Sequence, residues 1–159
     1  MVTNARTNTE TVLTVEDLRT YFTTRWGTVK AVDGISFDLR KGETLGIVGE
    51  SGCGKSVTML SLMRLIPEPP GQIVSGSITL DGEDIVQISE QEMAEIRGSK
   101  IALIIQDPMT SLNPVFSIGN QVEEAIQIHQ DIPTHSIMEG ALEVLRKVNI
   151  PAAESRVKD

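Results

Sequence analysis

An α/β fold with an antiparallel N-terminal portion is predicted by three observations. Residues 11–39 are rich in β-branched and aromatic side chains with partial alternation. A short apolar run then leads through a glycine-rich turn into a helical pattern, and the last third of the chain carries two amphipathic helical patterns.

Taken in order, residues 1–10 are polar and are expected to be flexible. Residues 11–24 (TVLTVEDLRTYFTT) and 28–39 (TVKAVDGISFDL) read as strands, joined by a turn at Arg25, Trp26 and Gly27. Residues 44–48 (TLGIV) are too short and too apolar for a helix and suit a strand buried on both faces. The run 55–65 places Val57, Leu60, Met63 and Leu65 near helical period, and Pro67, Pro69 and Pro70 end it. Residues 77–80 (SITL) read as a strand with a turn at Asp81 and Gly82. Ser89 stands three residues before Glu92, the spacing of a capping box, so 89–97 reads as a helix. Residues 101–105 (IALII) read as a second buried strand, 106–116 as a proline-held loop, and 118–130 and 135–148 as helices about Pro133.

The chain of 159 residues is 40% hydrophobic and 23% charged, enough for an ordinary core, and with 3% aromatics that core must be aliphatic. A net charge of −8 argues against broad attraction to nucleic acid or anionic lipid. The single cysteine, Cys53, excludes an internal disulfide and fits a reducing, cytoplasmic setting. No signal peptide and no stretch approaching about 20 apolar residues is seen, so a membrane role has to come through a partner.

Chemistry is carried by Gly49, Glu50, Ser51, Gly52, Cys53, Gly54, Lys55 and Ser56, a complete phosphate-binding loop, with Val57 continuing into the helix. The glycines admit backbone conformations that a Cβ forbids, and successive N–H groups then converge on an anion. The helix beginning near Lys55 adds its free N–H groups and dipole. Lys55 is placed to reach the β- and γ-phosphates of ATP, and the Ser56 hydroxyl to bind Mg²⁺. At ordinary residue frequencies the four fixed positions coincide by chance about 4 × 10⁻⁵ per window, so a ligand-free glycine turn is the weaker reading. Cys53 inside the loop reads either as a thiol in an electropositive setting or as a small filler. His129 and His135 lack a second ligand at metal spacing and read as surface residues.

The run AVDGISFDLRKGETLGIVGESGCGKS (31–56) closely resembles the start of an ABC transporter ATP-binding subunit. The run IALIIQDPMTSLNP (101–114) is similar to the branch that energises oligopeptide and dipeptide importers. The resemblance implies a P-loop NTPase core (11–105) with an antiparallel β subdomain, followed by a partial helical subdomain (106–159). It implies that Gln106 is the Q-loop glutamine, coordinating Mg²⁺ and coupling the core to the subdomain that docks on a transmembrane permease. Phe22 matches the aromatic that stacks on adenine, with Tyr21 and Trp26 as competitors. Along a strand Tyr21 and Phe22 point to opposite faces, so only one of the two can face the base. The resemblance further implies a head-to-tail pair of ATP-binding subunits, a solute-binding protein acting indirectly, and a peripheral position on the cytoplasmic face of the membrane.

The family's Leu-Ser-Gly-Gly signature, its acidic Asp-Glu strand and its switch histidine do not occur after Pro151. The expectation is therefore the N-terminal part of a longer subunit, with an incomplete sheet and marginal stability. The 159 residues alone are expected to bind ATP weakly or not at all, and not to hydrolyse it usefully. Another P-loop NTPase, such as a nucleotide kinase, and a non-catalytic interaction module are the alternative readings. A kinase is not expected to carry QDPMTSLNP.

Overall fold

A computed structural model describes residues 10–106, 111–130 and 132–159. The expected flexible N-terminus, apart from Glu10, and residues 107–110 of the proline-held loop lie outside the described residues. The chain divides into two compact units, 1–97 and 98–159.

The first unit is built on an antiparallel sheet in the order β2-β1-β3-β4. Its strands are β1 (Thr11–Thr24), β2 (Gly27–Arg40), β3 (Gly71–Leu80) and β4 (Glu83–Asp84). Strand β1 is central because it pairs with β2 along one edge and β3 along the other. Its buried side chains are Leu13 and Val15, then Leu18 and Thr20. The shift of parity marks a bulge at Glu16 and Asp17, where both ladders change register. The extra residue resets the pleat, so the second half of β1 keeps its even-numbered residues on the core face. Helix α1 (Lys55–Leu62) contacts β1 and β2, and α2 (Glu90–Ile96) buries Met93 and Ile96. The capping box of α2 forms as read: Ser89 N–H and Oγ–H donate to Glu92 Oε2 at 2.8 and 2.7 Å, and Glu92 N–H donates to Ser89 Oγ at 3.2 Å. The Arg97 guanidinium donates to the Met63 and Arg64 carbonyls at 2.8 and 3.1 Å, satisfying the C-terminal end of α1.

The second unit is helical: α3 (Ile118–His129), a 3-10 turn at Thr134–Ser136, α4 (Ile137–Lys147) and α5 (Ala153–Arg156). Ile126, Ile137 and Ala141 form one small core, and Leu145, Ala153 and Val157 form another. The first N–H groups of α3 are all used. Ile118 and Gly119 donate to the Asp159 and Val157 carbonyls at 2.8 and 2.7 Å, and Asn120 donates to Ser117 Oγ at 3.2 Å.

Three expectations fail. Residues 44–48 and 101–105 form no strand, apart from an isolated bridge at Ile101. Most of their apolar side chains are open to solvent, Val48 at 92% and Ile104 at 95%, while Ile101 and Leu103 are half-buried. An apolar run becomes a buried strand only when neighbouring strands take its N–H and C=O groups, and the described residues pair no strand with either run. The α1 helix also ends at Leu62, short of residue 65, because Arg64 takes a positive φ of 49°.

Candidate functional site

The phosphate loop forms a turn and then a helix. Cys53 N–H donates to the Glu50 carbonyl at 3.3 Å, closing the turn. Gly54 follows at φ 98° and is the residue from which α1 starts. That φ favours glycine, and so does the space, because a Cβ on Gly54 would sit 2.3 Å from the Ala31 carbonyl oxygen. Ala31 is the extra residue of β2 where the register steps from Thr20↔Val32 to Tyr21↔Lys30. This second bulge brings the β2 backbone against the loop.

Unlike α2 and α3, which Ser89 and Ser117 cap, α1 has no side-chain cap. Its first-turn N–H groups therefore stay available, which is the arrangement an anion needs. The Lys55 ammonium folds back and donates to the Gly49 and Glu50 carbonyls at 2.7 and 2.6 Å, and lies 3.4 Å from Cys53 Sγ. A positive charge thus lies across the loop, against the Gly49 and Glu50 carbonyls and Cys53 Sγ. Ser51, Gly52, Cys53 and Ser56 are exposed, while Val57 is half-buried. This donor set fits a polyphosphate. The hydroxyl of Ser56 and the amide oxygen of Gln106, which is exposed at a bend in the second unit, are oxygen donors of the kind Mg²⁺ takes. Among the described residues no group of three His, Cys, Asp or Glu side chains could hold a metal.

The aromatic candidates separate cleanly. Tyr21 lies on the outer face of β1, where its hydroxyl donates to Asp33 Oδ1 at 2.5 Å and Lys30 Nζ sits 5.3 Å from its ring centroid. The Asp33 carboxyl is held below its ordinary range, first by that hydroxyl and then by Lys30 and Arg19. Phe22 falls on the opposite face, the one that Thr20 presents to α1, and its ring lies over Gly71, its partner on β3. Trp26 is 82% exposed at the β1–β2 hairpin tip, with the Arg25 guanidinium 4.0 Å over its ring.

Sequence reasoning missed the interior of α1. Thr58 Oγ1–H donates to the Gly54 carbonyl at 3.0 Å and Ser61 Oγ–H to the Val57 carbonyl at 2.7 Å. Both side chains are buried, and Ser61 meets Thr20 Oγ1 at 2.8 Å. The available signal was two hydroxyl residues at i and i+3 on a helix whose other inward position is Leu62.

The chain is 49% identical over 146 residues to the oligopeptide transport ATP-binding protein OppD of Bacillus subtilis, covering 92% of this chain and 41% of that protein. It is 46% identical over 148 residues to a probable peptide ABC transporter ATP-binding protein, y4tR, of Sinorhizobium fredii, covering 93% of this chain and 44% of that one. The chain thus spans less than half the length of these relatives. Among solved structures, the ATP-binding cassette MJ0796, in a dimeric post-hydrolysis state bound to ADP and Pi, superposes with a TM-score of 0.76. That match covers 92% of this chain and 61% of the cassette at 20% identity, a likeness of fold. The profile of the ABC transporter family matches residues 32–159, the phosphate loop included, and the chain belongs to that family.

Proposed function

We propose that the chain is the nucleotide-binding portion of an ATP-binding subunit that couples ATP binding and hydrolysis to uptake of peptides or similar small solutes. The phosphate loop carries the nucleotide part of this reading: α1 is uncapped, entered through Gly54, with Lys55 across its mouth. The transport part is supported by 42–49% identity to ATP-binding proteins named for peptide, oligopeptide and dipeptide transport.

In this reading the residues from Gly49 to Val57 hold the polyphosphate through backbone N–H groups. Lys55 leaves the Gly49 and Glu50 carbonyls to bind the β- and γ-phosphates, neutralising charge that grows during transfer. Mg²⁺, when bound, draws negative charge from those phosphates. Ser56 supplies an oxygen donor to it, and Gln106, as the Q-loop glutamine, transmits the nucleotide state to a permease docked on the helical unit. Phe22 stacks on the adenine, since it shares the α1 face of β1 while Tyr21 is tied to Asp33 on the other. The partners are that permease, a second ATP-binding subunit paired head to tail, and a solute-binding protein acting through the permease. The subunit works at the cytoplasmic face of the membrane. No described helix is long and apolar enough to cross it.

Cys53 gives the direct test, because its thiol is exposed within the loop. In the full-length subunit, labelling by N-ethylmaleimide is slowed by MgATP and the labelled protein no longer binds nucleotide. Equal labelling with and without MgATP defeats the assignment.

A further inference from the structure

Thr20 and Ser61 lie 41 residues apart and meet at 2.8 Å, with both side chains fully buried. Ser61 has one hydroxyl hydrogen, and it donates to the Val57 carbonyl at 2.7 Å. The hydrogen between the two hydroxyls therefore comes from Thr20. A directed chain results, from Thr20 to Ser61 Oγ to the carbonyl of Val57, the third residue of α1. It joins β1, two residues before Phe22, to the first turn of the phosphate helix. A buried hydroxyl without a partner is costly, so an aliphatic pair would fill this site as well unless the bond had a geometric purpose. Apolar packing tolerates small slips of a helix over a sheet, whereas a hydrogen bond of this length does not.

We propose that Thr20 is a positioning residue for the nucleotide. Its bond to Ser61 sets the separation between the base platform on β1 and the phosphate cradle at the start of α1. The proposal rests on the nucleotide-binding reading above. A ligand that spans both elements feels this separation, while one that touches only the cradle does not.

The test compares ATP with inorganic tripolyphosphate by calorimetric titration of the full-length subunit, well below its melting temperature. The wild type binds ATP more tightly than tripolyphosphate. Thr20→Val keeps the shape and removes the donor. It is expected to weaken ATP about tenfold while leaving tripolyphosphate within about twofold, the loss that one broken buried hydrogen bond can supply. Thr20→Ser, which restores the hydroxyl, returns ATP affinity to near the wild-type value. Should Thr20→Val fold poorly, Ser61→Ala breaks the same bond from the helix side with the same expected pattern. Equal weakening of both ligands, or of neither, overturns the positioning role and leaves the nucleotide site standing. A wild type that binds both ligands equally removes the base platform, and the positioning role falls with it.

Discussion

Replacing Gly54 by alanine perturbs the loop twice. The native φ of 98° is one that an L side chain rarely adopts, and holding it costs about 1–3 kcal/mol. The added Cβ would also stand 2.3 Å from the Ala31 carbonyl oxygen, where ordinary contact begins at 3.4 Å. The obstacle is backbone in a paired strand, so the loop must move by roughly an ångström. On the proposed nucleotide-binding reading, the strain weighs against binding: about 1–3 kcal/mol lowers ATP affinity about 5- to 150-fold. Isothermal titration of ATP into the Gly54→Ala subunit measures this, with a melting curve alongside. The fall in affinity should exceed what the change in melting temperature accounts for. An ATP Kd within twofold of wild type would show that the Ala31 contact and the backbone conformation do not control the cradle.

The capping box gives a pH prediction. Glu92 is held below the usual glutamate value of about 4.3, chiefly by the Ser89 hydroxyl and then by the Ser89 N–H. A lowered carboxylate stabilises the fold fully above the unfolded value and loses that contribution as pH falls through the folded one. Glu92→Gln should thus flatten the loss of stability between about pH 5 and pH 3, read from urea midpoints across that range; an unchanged slope counts against it. Gly119→Ala reverses the usual helix preference. Alanine gains about 1 kcal/mol over glycine inside an open helix, but here its Cβ meets the Val157 carbonyl oxygen at 2.7 Å. A net loss of about 1–3 kcal/mol is expected in denaturant unfolding, and a gain would refute the contact. Gln121 accepts from Asn113 N–H at 2.7 Å and donates to the Asn113 and Phe116 carbonyls, each at 3.0 Å. Gln121→Ala should speed hydrogen exchange at Asn113 and Phe116 with little change at Ile126; uniform exchange across both regions would speak against a local clamp.

Local patterns were legible wherever a feature is settled by a few neighbouring residues. The phosphate loop and the Ser89–Glu92 box are of this kind, because their backbone geometry follows from glycines and short side-chain bonds. The alternation of β1 and the amphipathic faces of α3 and α4 also follow from spacing. The failures at 44–48 and 101–105 have the opposite cause: an apolar run shows a wish for burial, but a strand exists only through the backbone groups of another segment.

The sequence by itself therefore determined which residues stand at the mouth of α1 and the family to which they point. Tertiary structure alone decided how that mouth is held: the bulge that sets Ala31 against Gly54, the Thr20–Ser61 bond, and the face of β1 that carries Phe22. Each of these joins residues far apart in the chain. Which distant groups meet is fixed by register and packing, and a one-residue bulge is enough to exchange the two faces of a strand.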